Sequence, residues 1–117
     1  MTGLPSQFYL IGNALEATAQ NHSVLSHNIA NVNTPGYKTR EISFDKFVEH
    51  LESDEAHNQF LKEIPVDLVN GLSERADGNN VNIDEQLAKV KKNSLLFQTY
   101  SHLLASKMAT VRKSISG

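Results

Sequence analysis

Two apolar stripes, one at each end of the 117-residue chain, constrain its fold more than any other feature. Phe8, Ile11, Leu15, Thr18, His22, Leu25, Ile29 and Val32 alternate three- and four-residue steps. That is heptad spacing, with a polar interruption at Thr18 and His22. Ile83, Leu87, Val90, Ser94, Phe97, Ser101, Leu104, Met108, Val111 and Ile115 keep the same rhythm with no Gly or Pro among them. At a rise of about 1.5 Å per residue the second stripe runs for about 50 Å, longer than a compact domain of this size needs. The spacing predicts a mainly α, elongated molecule. Its long N- and C-terminal helices form an antiparallel, coiled-coil-like pair, and a small irregular middle segment has room for short helix and strand.

Turn chemistry sets the boundaries of this single domain. Pro5 suits the first turn of the N-terminal helix. Pro35 disfavours helix at Thr34, so that helix should close near Asn31 to Asn33, within residues 1–33. Pro35 followed by Gly36 reads as a type II turn, with Gly36 at positive φ, inside a turn segment 34–40. The C-terminal helix, within residues 82–117, has Asn82 as N-cap and Glu85 at the third position, a capping-box arrangement. Asp84 favours its positive end, and Lys107, Arg112 and Lys113 its negative end. Between them, in residues 41–81, Phe44 to Leu51 has helical spacing and Phe60 to Ile64 reads as another helical turn. Pro65 to Val69 fits an edge strand or an extended link, and Asp77-Gly78-Asn79-Asn80 is a turn signal.

Chemistry is sparse. A net charge of −2 gives no electrostatic case for nucleic acid, and the absence of Cys removes thiolate catalysis and Cys-based zinc sites. No apolar run approaches the roughly 20 residues of a membrane span, and Phe8 to Ile11 lacks the length and basic flank of a cleavable signal peptide. His22 and His27 stand five apart and His50 and His57 seven apart, neither being the i, i+4 spacing that brings two imidazoles to one metal. Glu49, Glu52, Asp54 and Glu55 read as a solvated helix end rather than a general acid and base. The expectation is no catalytic residue, no metal and no cofactor.

The string Asn28-Ile29-Ala30-Asn31, then Thr34-Pro35-Gly36-Tyr37, resembles the N-terminal signature of the bacterial flagellar axial proteins, the rod, hook and hook-filament junction subunits. Gly78-Asn79-Asn80-Val81-Asn82-Ile83-Asp84-Glu85-Gln86-Leu87, with Asn93, Phe97-Gln98-Thr99-Tyr100, Leu103-Leu104 and Lys107-Met108, resembles the proximal rod members of that family. Asn82 stands where those members often have Asp, and Gln86-Leu87 where they often have Glu-Met. The resemblance covers both ends and leaves residues 41–75 outside it. It implies a non-enzymatic structural subunit of the basal-body rod, exported by the flagellar type III apparatus without a cleaved signal. The implied partners are other rod subunits, copies of itself, a basal adaptor, membrane ring proteins and the export gate. Phe44 and Val48 fit the short Phe-x-x-x-apolar pattern of gate recognition, which Phe47 to Leu51 and Phe60 to Ile64 also match. Asn31 and Tyr37 are the side chains expected to tie the turn to the helices.

The interface expectation rests on Phe8, Ile11, Leu15, His22, Leu25 and Ile29 against Leu87, Val90, Phe97, Leu104, Met108, Val111 and Ile115. One antiparallel register pairs Phe8 with Ile115, Leu15 with Met108, His22 with Ser101 and Ile29 with Ser94, matching polar positions across the seam. Leu95, Leu96, Tyr100 and Leu103 extend the apolar surface beyond one seam, so contacts with neighbouring subunits are expected. A free subunit loosely ordered at its ends follows from the same surface. Two other readings stay open: a cytoplasmic helical adaptor or export chaperone, and a small envelope hydrolase using Glu49 or Glu52.

Overall fold

The computed structural model describes residues 5–60 and 63–116, the side chain of Phe44 apart. Helix α1 spans Ser6–Ala30 and helix α3 spans Ile83–Ser116, and the two pack antiparallel over much of their length. Between them lie strand β1 (Arg40–Ile42), helix α2 (Phe44–Glu52), a 3-10 turn at Asp54–His57 and strand β2 (Val66–Leu68). The molecule measures 65 × 25 × 17 Å, the elongated helical pair expected from the stripes.

β1 and β2 form an antiparallel ribbon with Arg40 opposite Leu68, Glu41 opposite Asp67 and Ile42 opposite Val66. Two short strands cannot hold together alone in water. Hydrogen bonds from Ser43 N to Pro65 O and from Val69 N to Thr39 O extend this ribbon, both at 3.0 Å. β1 has no counterpart among the elements expected from the sequence, whereas Pro65 to Val69, expected as an edge strand or an extended link, contains its partner strand β2. Phe60, Glu63 and Ile64 are not helical, and positions 61 and 62 of that expected turn lie outside the described residues.

The core is small and unusually polar. Among the described residues six hydrophobic ones are buried: Ile11, Ala14, Leu25, Ala56, Ile64 and Val81. Eight described polar residues are buried with them: Asn13, Thr18, Asn28, Thr39, Asn79, Asn80, Gln86 and Asn93. Such residues seldom go inside unless their hydrogen bonds are made there. Seven-residue rows on α1 make them. Asn13 donates to Ala56 O and Gln59 O, and Gln20 accepts from Ile64 N at 2.9 Å, so this row anchors the middle segment. Asn21 and Asn28 form the second row and meet α3.

That second row sets the register, one of several offsets the sequence allows and not the one that pairs His22 with Ser101. Asn21 Nδ2 donates to Asn93 Oδ1 at 3.1 Å, Asn28 Nδ2 donates to Gln86 Oε1 at 2.9 Å, and Asn93 Nδ2 donates to Thr18 O at 2.8 Å. With Ile29 opposite Ser94, Asn28 would face Leu95; it meets Gln86 instead, nine residues earlier in α3. Amide pairs at a heptad interval specify the register more strongly than the single His22–Ser101 match, because a slip would strand two buried amides at once. The slip also carries the last turns of α3 past the first described residue of α1, and Ile115 is 82% exposed.

Candidate functional site

The site begins where α1 stops. The chain turns at Thr34-Pro35-Gly36-Tyr37 with a Tyr37 N to Thr34 O bond of 3.2 Å and Gly36 at φ +76°, the type II geometry expected of Pro-Gly. A second turn, with Gly78 at φ +85°, packs against it, and Gly36 N donates to Asp77 O at 2.8 Å. Lys38 Nζ bridges the two by donating to Glu74 at 2.6 Å and to Gly78 O.

Asn28 is the hub. Fully buried, it uses all of its hydrogen-bonding capacity. Its amide nitrogen donates to Arg40 O (2.8 Å) and Gln86 Oε1 (2.9 Å), while its oxygen accepts from Tyr37 Oη (2.9 Å) and Arg40 N (3.1 Å). One side chain therefore joins α1, the turn, β1 and α3. Asn79, also fully buried, donates to Asn31 O and Thr34 O at 2.9 Å each and accepts from Val81 N at 2.8 Å. Asn80 Oδ1 accepts from Thr39 N (2.7 Å) and Thr39 Oγ1 (2.8 Å). Asn82 Oδ1 accepts from Glu85 N at 3.1 Å, the N-cap bond, while Glu85 itself pairs with Lys89 at 3.3 Å. Of the two side chains expected to tie the turn to the helices, Tyr37 reaches Asn28. The Asn31 side chain stays local, donating to His27 O and accepting from Thr34 Oγ1.

Burial pushes the Tyr37 phenol above its ordinary value, and the Arg40 charge pulls weakly the other way. A folded-state pKa raised above the unfolded one contributes stability that is intact below pH 10 and lost as pH rises through the folded value. Unfolding free energy should therefore fall above pH 10. In Tyr37→Phe that loss should be smaller, at the expense of about 1 kcal/mol at neutral pH for the missing donor. Denaturant titrations at pH 7 and pH 10.5 measure both; an unchanged alkaline slope would show that Tyr37 is not the titrating group.

The apolar stripes take up a different position from the one expected. In both helices the residues meeting across the seam come immediately before the heptad positions: Asn21 and Asn28 rather than His22 and Ile29, Gln86 and Asn93 rather than Leu87 and Ser94. One residue is about 100° of helix rotation. Because the helices run antiparallel, a shift of the same sense turns both stripes to the same flank of the hairpin. Leu25 and Ile11 remain buried, and Phe8, Leu15, Ile29, Val90 and Leu104 are half-buried. Leu87 (46%), Phe97 (47%) and Met108 (52%) are open, as are Val111 and Ile115, and His22 is exposed. Exposed apolar area on this scale marks an interaction surface.

No group of three or more His, Cys, Asp or Glu side chains gathers among the described residues, and Glu49 and Glu52 are both exposed, Glu49 lying 3.6 Å from Lys46. No helix among them is long and apolar enough to cross a membrane. Phe44 opens α2, its side chain outside the described ones, and Val48 is half-buried one turn later.

A helical hairpin clamped at one end by buried amides, with an apolar flank along its length, defines a subunit that works by packing against other proteins. Residues 8–38 match the family described as "Flagella basal body rod protein". The chain is 33% identical over 106 residues to flagellar basal body rod protein FlgB of Aquifex aeolicus, covering 86% of this chain and 85% of that protein. It is 30% identical over 116 residues to FlgB of Aeromonas hydrophila (89% and 88% covered) and 28% identical over 122 residues to FlgB of Salmonella typhimurium (89% and 88%). The chain belongs to the FlgB family of flagellar basal body rod proteins, and it is a structural subunit rather than an enzyme.

Proposed function

We propose that the chain is exported through the flagellar type III apparatus without a cleaved signal and assembles at the proximal level of the rod, in the cell envelope. There it becomes part of the hollow axial shaft that transmits motor torque. Its partners in this reading are copies of itself, other rod subunits, a basal adaptor, membrane ring proteins and the export gate. The observation that carries the reading is the common flank to which both stripes turn, with Leu87, Phe97 and Met108 open beside half-buried Phe8, Leu15 and Ile29. Where that flank meets a different surface on the next subunit the contact is heterologous, and a heterologous contact that does not close generates a tube or filament. Gate recognition is assigned to the first turn of α2 through Phe44 and Val48.

Two variants test this in motile cells. Leu87→Glu with Phe97→Glu leaves every clamp residue in place and should lower incorporation into isolated basal bodies at least tenfold while secretion continues. Phe44→Ala with Val48→Ala should block secretion while the chain accumulates in the cytoplasm. Normal incorporation of the first variant would remove the flank from the assembly interface, and normal secretion of the second would remove α2 from gate recognition.

A further inference from the structure

The opposite flank of the hairpin carries a groove of about 420 Å³ between α1, α3 and the β1–α2 corner. The stretch of α1 from Ala14 to Leu25 forms one wall, and that of α3 from Lys89 to Tyr100 the other. Each wall is eleven residue steps long, about 16 Å at helical rise, or three turns. Volume and length together suit one amphipathic helix laying successive side chains between two others.

The groove is polarised. In the observed register Leu96 and Tyr100 lie across from Thr18 and Ala14, with Phe47 on the middle-segment side, so this end is apolar. Lys89 and Lys92 lie across from Leu25 and His22, near Arg40, and they make the other end cationic. Three cations line that end against one lining carboxylate, Glu41; Lys89 is shared with Glu85 just outside the groove, and among the described residues neither Lys92 nor Arg40 is ion-paired. We infer that this groove receives an acidic amphipathic helix of another protein, its C-terminal end toward Arg40 and Lys92. Carboxylates and the negative end of the helix dipole meet the cations, and leucine-sized side chains enter the Leu96–Tyr100 end. A second copy of this chain is a poor occupant through its freest segment, because the end of α3 carries Arg112 and Lys113 beside Ile115 and would bring cations to cations.

The inference rests on assembly into the rod, and adjacent residues separate the two claims. A photo-reactive p-benzoylphenylalanine is placed at Leu96, in the groove, or at Phe97, on the apolar flank, and basal bodies are isolated after irradiation. The position 96 probe should link to a segment of another protein in which Asp and Glu outnumber Lys and Arg. Arg40→Glu with Lys92→Glu should cut that product at least tenfold while the position 97 product stays unchanged. A link from position 96 to a second copy, to an acyl chain or to a basic segment would overturn the inference. So would a product indifferent to charge reversal, or none at position 96 while position 97 links normally. If the chain is missing from basal bodies altogether, the proposed function fails along with it.

Discussion

Asn28→Ala is expected to destabilise the purified chain by about 3–5 kcal/mol, a large share of the stability of a domain this small. The substitution removes four hydrogen bonds and leaves Gln86 Oε1, Tyr37 Oη and both backbone groups of Arg40 facing a void. The backbone N–H and C=O of Arg40 cannot move away without breaking β1, so their desolvation goes uncompensated. Unfolding midpoints in urea give the magnitude, and a double-mutant cycle with Gln86→Ala gives the coupling. The double variant should lose clearly less than the two single losses combined, because Gln86 has nothing left to accept from once Asn28 is gone. A loss under about 1 kcal/mol for Asn28→Ala would show that the clamp is ornamental to stability and that the helices hold each other without it.

The second large effect is expected at Gly36, and it separates backbone strain from crowding. At φ +76° a Cβ is disfavoured by the chain itself, yet a Cβ built there meets nothing within 4 Å. Substitutions should therefore rank by left-handed tolerance and not by size: Asn mildest, Ala next, and Val, which is β-branched, worst at roughly 1–3 kcal/mol. Relief of that strain would swing Gly36 N from Asp77 O and part the two turns. Val at this position should thus assemble poorly even when made and exported in normal amounts. Equal unfolding midpoints for Asn and Val would place the constraint elsewhere.

The general outline of this molecule is legible because heptad spacing over 25 and 34 residues leaves little alternative to two long helices. Pro35-Gly36 is legible for the same kind of reason, since few residue pairs demand one turn type so firmly. The seam is not legible from apolar periodicity alone, because the residues that face each other across it are amides. Asn13 and Gln20, Asn21 and Asn28, and Gln86 and Asn93 each stand seven apart, a signal of the same period as the stripes but written in amides. Reading it would have moved the seam by one position on each helix and the register by nine. β1 carried no such signal: Arg40-Glu41-Ile42 is a strand only because Val66 to Leu68 lies beside it and Asn28 holds both backbone groups of Arg40. Asn79 and Asn80 were visible as turn residues. That their side chains would bond the earlier turn at Asn31, Thr34 and Thr39 depends on contacts more than 40 positions away, which local pattern cannot supply.

The amide rungs make the hairpin's resistance to force depend on direction. Pulled apart sideways from the end remote from the turns, α1 and α3 separate progressively: the Asn21–Asn93–Thr18 rung must give way before the Asn28 hub is loaded at all. Slid along their common axis, the helices load every rung and the hub together, and none can yield before the rest. The hairpin can therefore be peeled open by a small transverse tug at its loose end, yet it behaves as a stiff strut under thrust or twist along its length.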